Sequence, residues 1–286
     1  MNSSIWITGA NGQLGIELRR KLARRKNVFA TDAELDICDA KSVRDFITQN
    51  RIGTIINCAA YTNVEAAEDN PVLCRKVNAA GVANLARAAL DADASLIQIS
   101  TDYVFDGRKR TPYRESDSPA PLSVYGKSKL EAEEAMRTIG CRGVIIRTAW
   151  LYSPYGKNFM KTMVALGSNR EEVSVVADQT GSPTSADSLA SAILTIIRNI
   201  GDRRGEIYHF SGDGACSWSD FAAAIMHCAG CNCRVRDIKS DEYPQKAARP
   251  AYSYLDKALI KQEFGIEAEP WQSALERNMR RYKRLL

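Results

Sequence analysis

Short apolar runs and stretches of helix length alternate through the first 150 residues, and this alternation constrains the fold more than any other feature of the chain. "SIWITGA" reads as a strand, "QLGIELRRKLARRK" as a helix and "VFATD" as a second strand. A helix near "AKSVRDFITQN", a strand "TIINCAA", a helix "VNAAGVANLARAALDA" and a strand "SLIQIST" follow. A helix beginning near Ser123 and a strand "GVIIRTAWLY" complete the series. Strands that are apolar on both faces need helices on both sides, which implies a parallel sheet. The expected class is α/β: a Rossmann-type doubly wound parallel sheet with a smaller α/β substrate-binding lobe.

After Trp150 the rhythm changes. "NFMKTMVALG" reads as a helix, "VSVVADQTGSPTS" as a strand running into a Gly/Pro turn, and "ADSLASAILTIIRNI" as a helix. "GEIYHFSG" reads as a strand that returns to the main sheet, and beyond about residue 213 the alternation weakens. The expected division is residues 1–150 plus about 184–212 for the dinucleotide-binding domain. Residues of about 151–183 plus 213–286 form the substrate-binding lobe.

Composition excludes several classes. With 286 residues, 45% of them hydrophobic and 26% charged, the chain has the make-up of an ordinary soluble globular protein. No apolar run approaches the roughly 20 residues that span a bilayer, so no membrane partner is expected. The opening "MNSSIWITGANG" lacks the basic region and cleavage site of a signal peptide, which makes the cytoplasm the expected location. The net charge of +5 is mild, and "RRKLARRK", "RKR" and "RRYKR" read as solvated surface. No nucleic-acid motif accompanies them, so no nucleic-acid partner is expected. Among eight cysteines, only "HCAGCNC" (His227, Cys228, Cys231, Cys233) has metal-like spacing. No second Cys/His pair follows it. A helix ending near Gly230 and a strand starting "RVRDI" account for the segment without a metal.

Three features carry chemistry. "TGANGQLG" lies between the first strand and the first helix, with Gly9, Gly12 and Gly15 spaced three apart. Glycines there allow a sharp turn and let a pyrophosphate approach the helix N-terminus, although tight strand–helix turns use them too. Asp32 ends the second strand, about 20 residues beyond the glycine loop, where a carboxylate accepts from a ribose 2′-hydroxyl; a helix-capping aspartate is the plain alternative. Asp36 and Ile37, just downstream, would flank the adenine. In "ISTDYVFDG", Thr101 ends a strand at the sheet edge where open α/β folds bind ligands. In "VYGKSKLEAE", Tyr125 and Lys129 stand one helical turn apart. A hydroxyl, a phenol and an ammonium suit carbonyl reduction. Free tyrosine titrates near pH ~10, and a Lys129 ammonium beside it would lower that value. Tyr125 would then give its proton to a carbonyl oxygen held by Thr101.

These strings resemble those of the extended short-chain dehydrogenase/reductases and, within that group, of the dTDP-4-dehydrorhamnose reductases. "GANGQLG", "NCAAYTNVEAAE", "STDYVFDG", "SVYGKSKLEAE", "IRTAWLY", "DQTGSPTS" and "RPAYSYLD" carry the likeness across nearly the whole chain. The resemblance implies Thr101, Tyr125 and Lys129 as the catalytic trio. It implies NADPH or NADH as cofactor, held by Gly12, Gln13, Leu14, Asp32, Asp36, Ile37, Ala60 and Thr62 beside Tyr125 and Lys129. A dTDP-sugar would contact Val64, Thr101, Asp102, Tyr103 and Trp150. Trp150 at a strand end is otherwise ordinary core packing; under the resemblance it stacks on the deoxyhexose. The implied reaction reduces the C4 ketone of dTDP-4-dehydro-6-deoxy-L-mannose to dTDP-L-rhamnose for cell-surface polysaccharide.

Some members of this group are Mg²⁺-dependent dimers, so a homodimer and a Mg²⁺ site come with the likeness. Glu17 and Asp187 match its acidic positions, but "MRRYKRLL" offers no carboxylate after Glu276, and both acids are expected to be solvated surface residues. Two alternatives share the fold: a nucleotide-sugar 4-epimerase, and a non-catalytic regulatory subunit resembling the methionine adenosyltransferase β subunit. A 4,6-dehydratase would need a glutamate after Asp102, where this chain has Tyr103.

Overall fold

The computed structural model describes residues 4–286. The chain runs β1 (Ser4–Thr8), α1 (Gln13–Lys21), β2 (Val28–Ala30), α2 (Ala40–Gln49) and β3 (Ile52–Asn57). Two short helices, α3 (Val64–Asp69) and α4 (Pro71–Arg75), pass through a π-helical stretch into α5 (Gly81–Asp91). Then come β4 (Ser95–Thr101), α6 (Val124–Ile139), β5 (Gly143–Thr148), β6 (Leu151–Tyr152) and α7 (Phe159–Gly167). The strands β7 (Glu172–Val176), β8 (Thr180–Gly181) and β9 (Thr184–Ser185) precede α8 (Ala186–Arg198) and β10 (Arg204–His209). The chain ends with β11 (Cys216–Ser217), α9 (Trp218–Ala229), β12 (Arg234–Ile238), α10 (Ala258–Phe264) and α11 (Trp271–Lys283).

Six strands form the main sheet in the order β10-β5-β4-β3-β1-β2, all pairs parallel. Successive side chains on β1 point to opposite faces, and both faces are buried. Ile5 and Ile7 pack with Leu14, Leu18, Leu189 and Ile193 from α1 and α8. Trp6 packs with Val43, Leu85 and Met136 from α2, α5 and α6. Full burial of one such side chain contributes about 1.5–3 kcal/mol, which is why the strands read as unbroken apolar runs. The order reverses between β1 and β3, and the carboxyl ends of these strands flank a crevice. A polar ladder crosses those ends: the Thr8 hydroxyl donates to Asn57 at 2.6 Å, and the Asn57 amide donates to Gln98 at 2.7 Å.

α6 starts where the Ser123 hydroxyl accepts from the Gly126 amide, and it stops at Gly140, whose φ of 72° suits glycine. The predicted strand "GVIIRTAWLY" breaks in two. Trp150 takes a left-handed φ of 48°, turning the chain out of the main sheet so that Leu151 and Tyr152 pair with Thr184 and Ser185. The predicted first helix ends at Lys21, earlier than its charged tail suggested, because Arg24–Lys26 bring no apolar residue to the sheet.

A second apolar cluster gathers Tyr152, Met160, Phe221, Ile225, Trp271 and Leu275 around the small β7–β12 pair. The segment after residue 213 serves both clusters. α11 packs into this second one, whereas Ile260 of α10 packs with Tyr208 against the main sheet. Cys228, Cys231 and Cys233 lie in or against the second cluster as free thiols, and no metal-holding group of three or more His, Cys, Asp or Glu occurs among the described residues.

Candidate active site

A cleft of about 920 Å³ lies over the carboxyl ends of β1, β3 and β4. It brings together every residue expected from the sequence to be catalytic or to bind cofactor or substrate: Gly9, Gly12, Gln13, Leu14, Gly15, Asp32, Asp36, Ile37, Ala60, Thr62, Val64, Thr101, Asp102, Tyr103, Tyr125, Lys129 and Trp150. Asn57 and Cys58, the first residues of "NCAAYTNVEAAE", also line it, as do Lys157, Asn158 and Trp218, which carried no recognisable signal in the sequence.

The glycine loop is packed to backbone contact. Gly9 has φ +58°, and a Cβ there would stand 2.6 Å from the Ala59 nitrogen. A Cβ on Gly15 would stand 2.4 Å from the Gly9 carbonyl oxygen. Gly12 caps α1 without any side-chain hydrogen bond, so no side chain occupies the first amides of that helix. An anion is the natural partner of such an end. The cradle therefore fits a dinucleotide pyrophosphate. At the far end of the loop the Asp32 carboxylate accepts from the Asn11 amide at 2.8 Å, and Arg19 donates to the Asn11 side chain at 3.2 Å. Ile37 is buried, and its side chain fills the space against Gly81.

Thr101 ends β4 and caps a short 3₁₀ turn. Its hydroxyl accepts from the Tyr103 amide at 3.2 Å and donates to Asp102 at 3.1 Å. Tyr125, in the first turn of α6, meets Tyr103 edge-on with ring centroids 5.7 Å apart. Burial pushes the Tyr125 phenol well above its ordinary value; a hydrogen bond with Thr101 opposes this, and the Asp102 charge reinforces it. In the free chain the Lys129 ammonium, expected to lower Tyr125, donates to the Ile99 carbonyl at 2.5 Å, and burial brings its own pKa down to about 8. The phenol is thus a loaded acid.

Asp102 is buried, and burial pushes it up to about 6 against the hydrogen bonds from Ser253 and Thr101. Between roughly pH 4 and 6 the folded chain holds a proton that the unfolded chain releases. Folding stability therefore declines as pH rises through that window, by roughly 3 kcal/mol in total. Asp102→Asn is expected to melt higher than the parent at pH 7.5 and together with it near pH 3.5 in thermal scans. Equal melting at pH 7.5 would show that Asp102 carries no burial penalty.

Trp150 is not a free stacking platform. Its indole lies on Trp218 at a centroid distance of 3.7 Å and an interplanar angle of 11°. Gly181, from "DQTGSPTS", makes room for it: a Cβ there would stand 2.6 Å from the indole Cε2. One face of Trp150 is therefore already occupied, and a ligand can reach only what Trp218 leaves open.

Residues 3–284 match the family model described as the RmlD substrate binding domain. A dTDP-4-dehydrorhamnose reductase of Aggregatibacter actinomycetemcomitans is 43% identical over 96% of this chain and 98% of its own length. The chain belongs to the dTDP-4-dehydrorhamnose reductase family. The crystal structure of a family member from Clostridium acetobutylicum superposes with a TM-score of 0.93 at 39% identity, covering 98% of this chain and 99% of that one. Another from Bacillus anthracis, solved in complex with NADP, superposes with a TM-score of 0.94 at 39% identity over 98% and 100% of the two chains.

The Mg²⁺ expected from the resemblance does not fit Glu17 and Asp187. Glu17 is fully buried rather than solvated, and its Oε2 accepts from Arg281 at 2.8 Å. Asp187 pairs with Lys21 at 2.8 Å, with Arg281 at 3.5 Å and with Arg277 at 3.6 Å. Burial would raise the Asp187 carboxyl, but these cations hold it below the usual range. The positive charge that a metal would bring is already supplied by side chains of α1 and α11.

Proposed function

We propose that this chain catalyses the NAD(P)H-dependent reduction of the C4 ketone of dTDP-4-dehydro-6-deoxy-L-mannose to dTDP-L-rhamnose, a cytoplasmic step toward cell-surface polysaccharide. One observation carries the reading: a protonated phenol and a hydroxyl share one cleft with a glycine cradle built for a dinucleotide. A reduced nicotinamide bound in the cleft supplies the hydride. Gly9, Gly12 and Gly15 admit the pyrophosphate, Asp32 takes the adenosine ribose, and Ile37 borders the adenine. Thr101 donates to the ketone oxygen, and Tyr125 passes its proton to that oxygen as charge develops. Lys129 holds the nicotinamide ribose and favours the phenolate left behind. Binding of the remote nucleotide holds the ketone in a reactive pose.

The reaction consumes cofactor. Purified protein mixed with the 4-keto sugar and NADPH or NADH is expected to oxidise one cofactor for each sugar reduced, followed by nicotinamide absorbance. A sugar product formed without cofactor loss would replace the reductase with an epimerase.

Cofactor choice rests on Asp32 and Arg19. The carboxylate repels a ribose 2′-phosphate, and Ala33 beside it brings no cation. Arg19 brings a cation to this end through its bond to Asn11. Asp32→Ala is expected to raise kcat/KM with NADPH relative to NADH by about tenfold, the effect of removing one like charge. An unchanged ratio would take Asp32 out of the ribose site.

A further inference from the structure

Tyr125 and Lys129 are followed, one turn further along the same face of α6, by Glu133. Glu133 is 1% exposed and forks onto Arg147 of β5, whose Nε and Nη2 donate to its two oxygens at 2.9 and 2.6 Å. The Ser100 hydroxyl, next to Thr101 on β4, donates to the same carboxylate. Arg147 is equally buried, with Phe105 beneath its guanidinium at 5.0 Å, and its Nη1 has no partner. A buried ion pair with an unsatisfied nitrogen is a poor stabilising device, since apolar residues of the same volume commonly do as well. The pair sits instead where its charge matters. Facing Lys129 are the Ile99 carbonyl of β4, the thiols of Cys74 on α4 and Cys58 after β3, Tyr125 on its own helix, and Glu133. Glu133 is the one carboxylate among them.

Resting on the reading of Lys129 given above, we propose that Glu133 is a positioning residue for the reaction: its carboxylate, fixed by Arg147 and Ser100, keeps Lys129 as an ammonium in the cleft. Burial works against that charge, which leaves Lys129 close to losing its proton at physiological pH. Removing the Glu133 charge removes the opposing influence and also leaves the Arg147 cation unpaired, and both changes favour neutral lysine. Glu133→Asp keeps the charge on a shorter stem.

The test is the pH dependence of NADPH affinity, measured by fluorescence titration of the full chain without sugar, alongside kcat. In the parent, affinity and kcat are expected to fall together as pH rises past Lys129's pKa. In Glu133→Gln the midpoint should lie about one pH unit lower or further, and in Glu133→Asp it should stay near the parent's. The neutral pair Glu133→Leu with Arg147→Met serves where the single variant does not fold; its midpoint should move the same way by less. A midpoint unmoved in the folded variant, with Lys129→Ala still about 10²-fold slower than the parent, would overturn the proposal alone. A Lys129→Ala variant with full turnover would overturn the reading of Lys129 and the proposal together.

Discussion

Tyr125→Phe is expected to reduce turnover by about 10²–10⁴-fold, the span that general acid catalysis contributes, while NADPH affinity stays nearly unchanged. The substitution deletes one oxygen and leaves the ring, which meets Tyr103 edge-on and keeps the wall of the cleft in place. Burial holds the phenol protonated, so what disappears is a proton ready for transfer rather than a binding contact. Steady-state rates with the 4-keto sugar and a fluorescence titration with NADPH separate the two effects. A variant that kept more than half of the parent's turnover would show that another group is the acid.

Lys129→Ala should carry a different signature. Its ammonium is buried, donates to the Ile99 carbonyl and lines the cleft beside Tyr125. On the roles proposed for it, loss of that charge would remove both a hold on the nicotinamide ribose and the stabilisation of phenolate. Turnover should fall by about 10²-fold and cofactor affinity by about tenfold, the scale of one lost charge-assisted hydrogen bond. The same two measurements read it. Normal affinity with lost turnover would leave the lysine acting on Tyr125 only. Unchanged turnover would exclude it from the chemistry.

The framework was legible because local patterns report it. Apolar runs such as "TIINCAA" record strands buried on both faces, and "TGANGQLG" records a turn that admits no Cβ at Gly9 or Gly15. Tyr125 and Lys129 were visible through helical spacing, which depends on nothing outside α6. What the sequence concealed depends on distant partners. Trp218 reaches Trp150 across 68 positions, from the start of a helix whose own capping box gives no hint of the cleft. The burial of Glu17 follows from Arg281, 264 positions away; the neighbouring Leu14 and Leu18 on α1 were the signal that this acid faces inward. The left-handed turn at Trp150 leaves no local mark either, because its cause is the pairing of Leu151 and Tyr152 with Thr184 and Ser185. α3 and α4, at six and five residues, are too short for periodicity to show.

In the proposed reaction hydride passes from a nicotinamide in this cleft to C4 of the sugar, with the oxygen protonated by Tyr125. The most direct measurement supplies NADPH carrying deuterium at both C4 positions of the nicotinamide and examines the dTDP-sugar product by mass spectrometry and NMR. One deuterium per product is expected, located at C4 of a 4-hydroxy 6-deoxyhexose, with an equal amount of NADP⁺ formed. An unlabelled product, or deuterium at any other carbon, would contradict it.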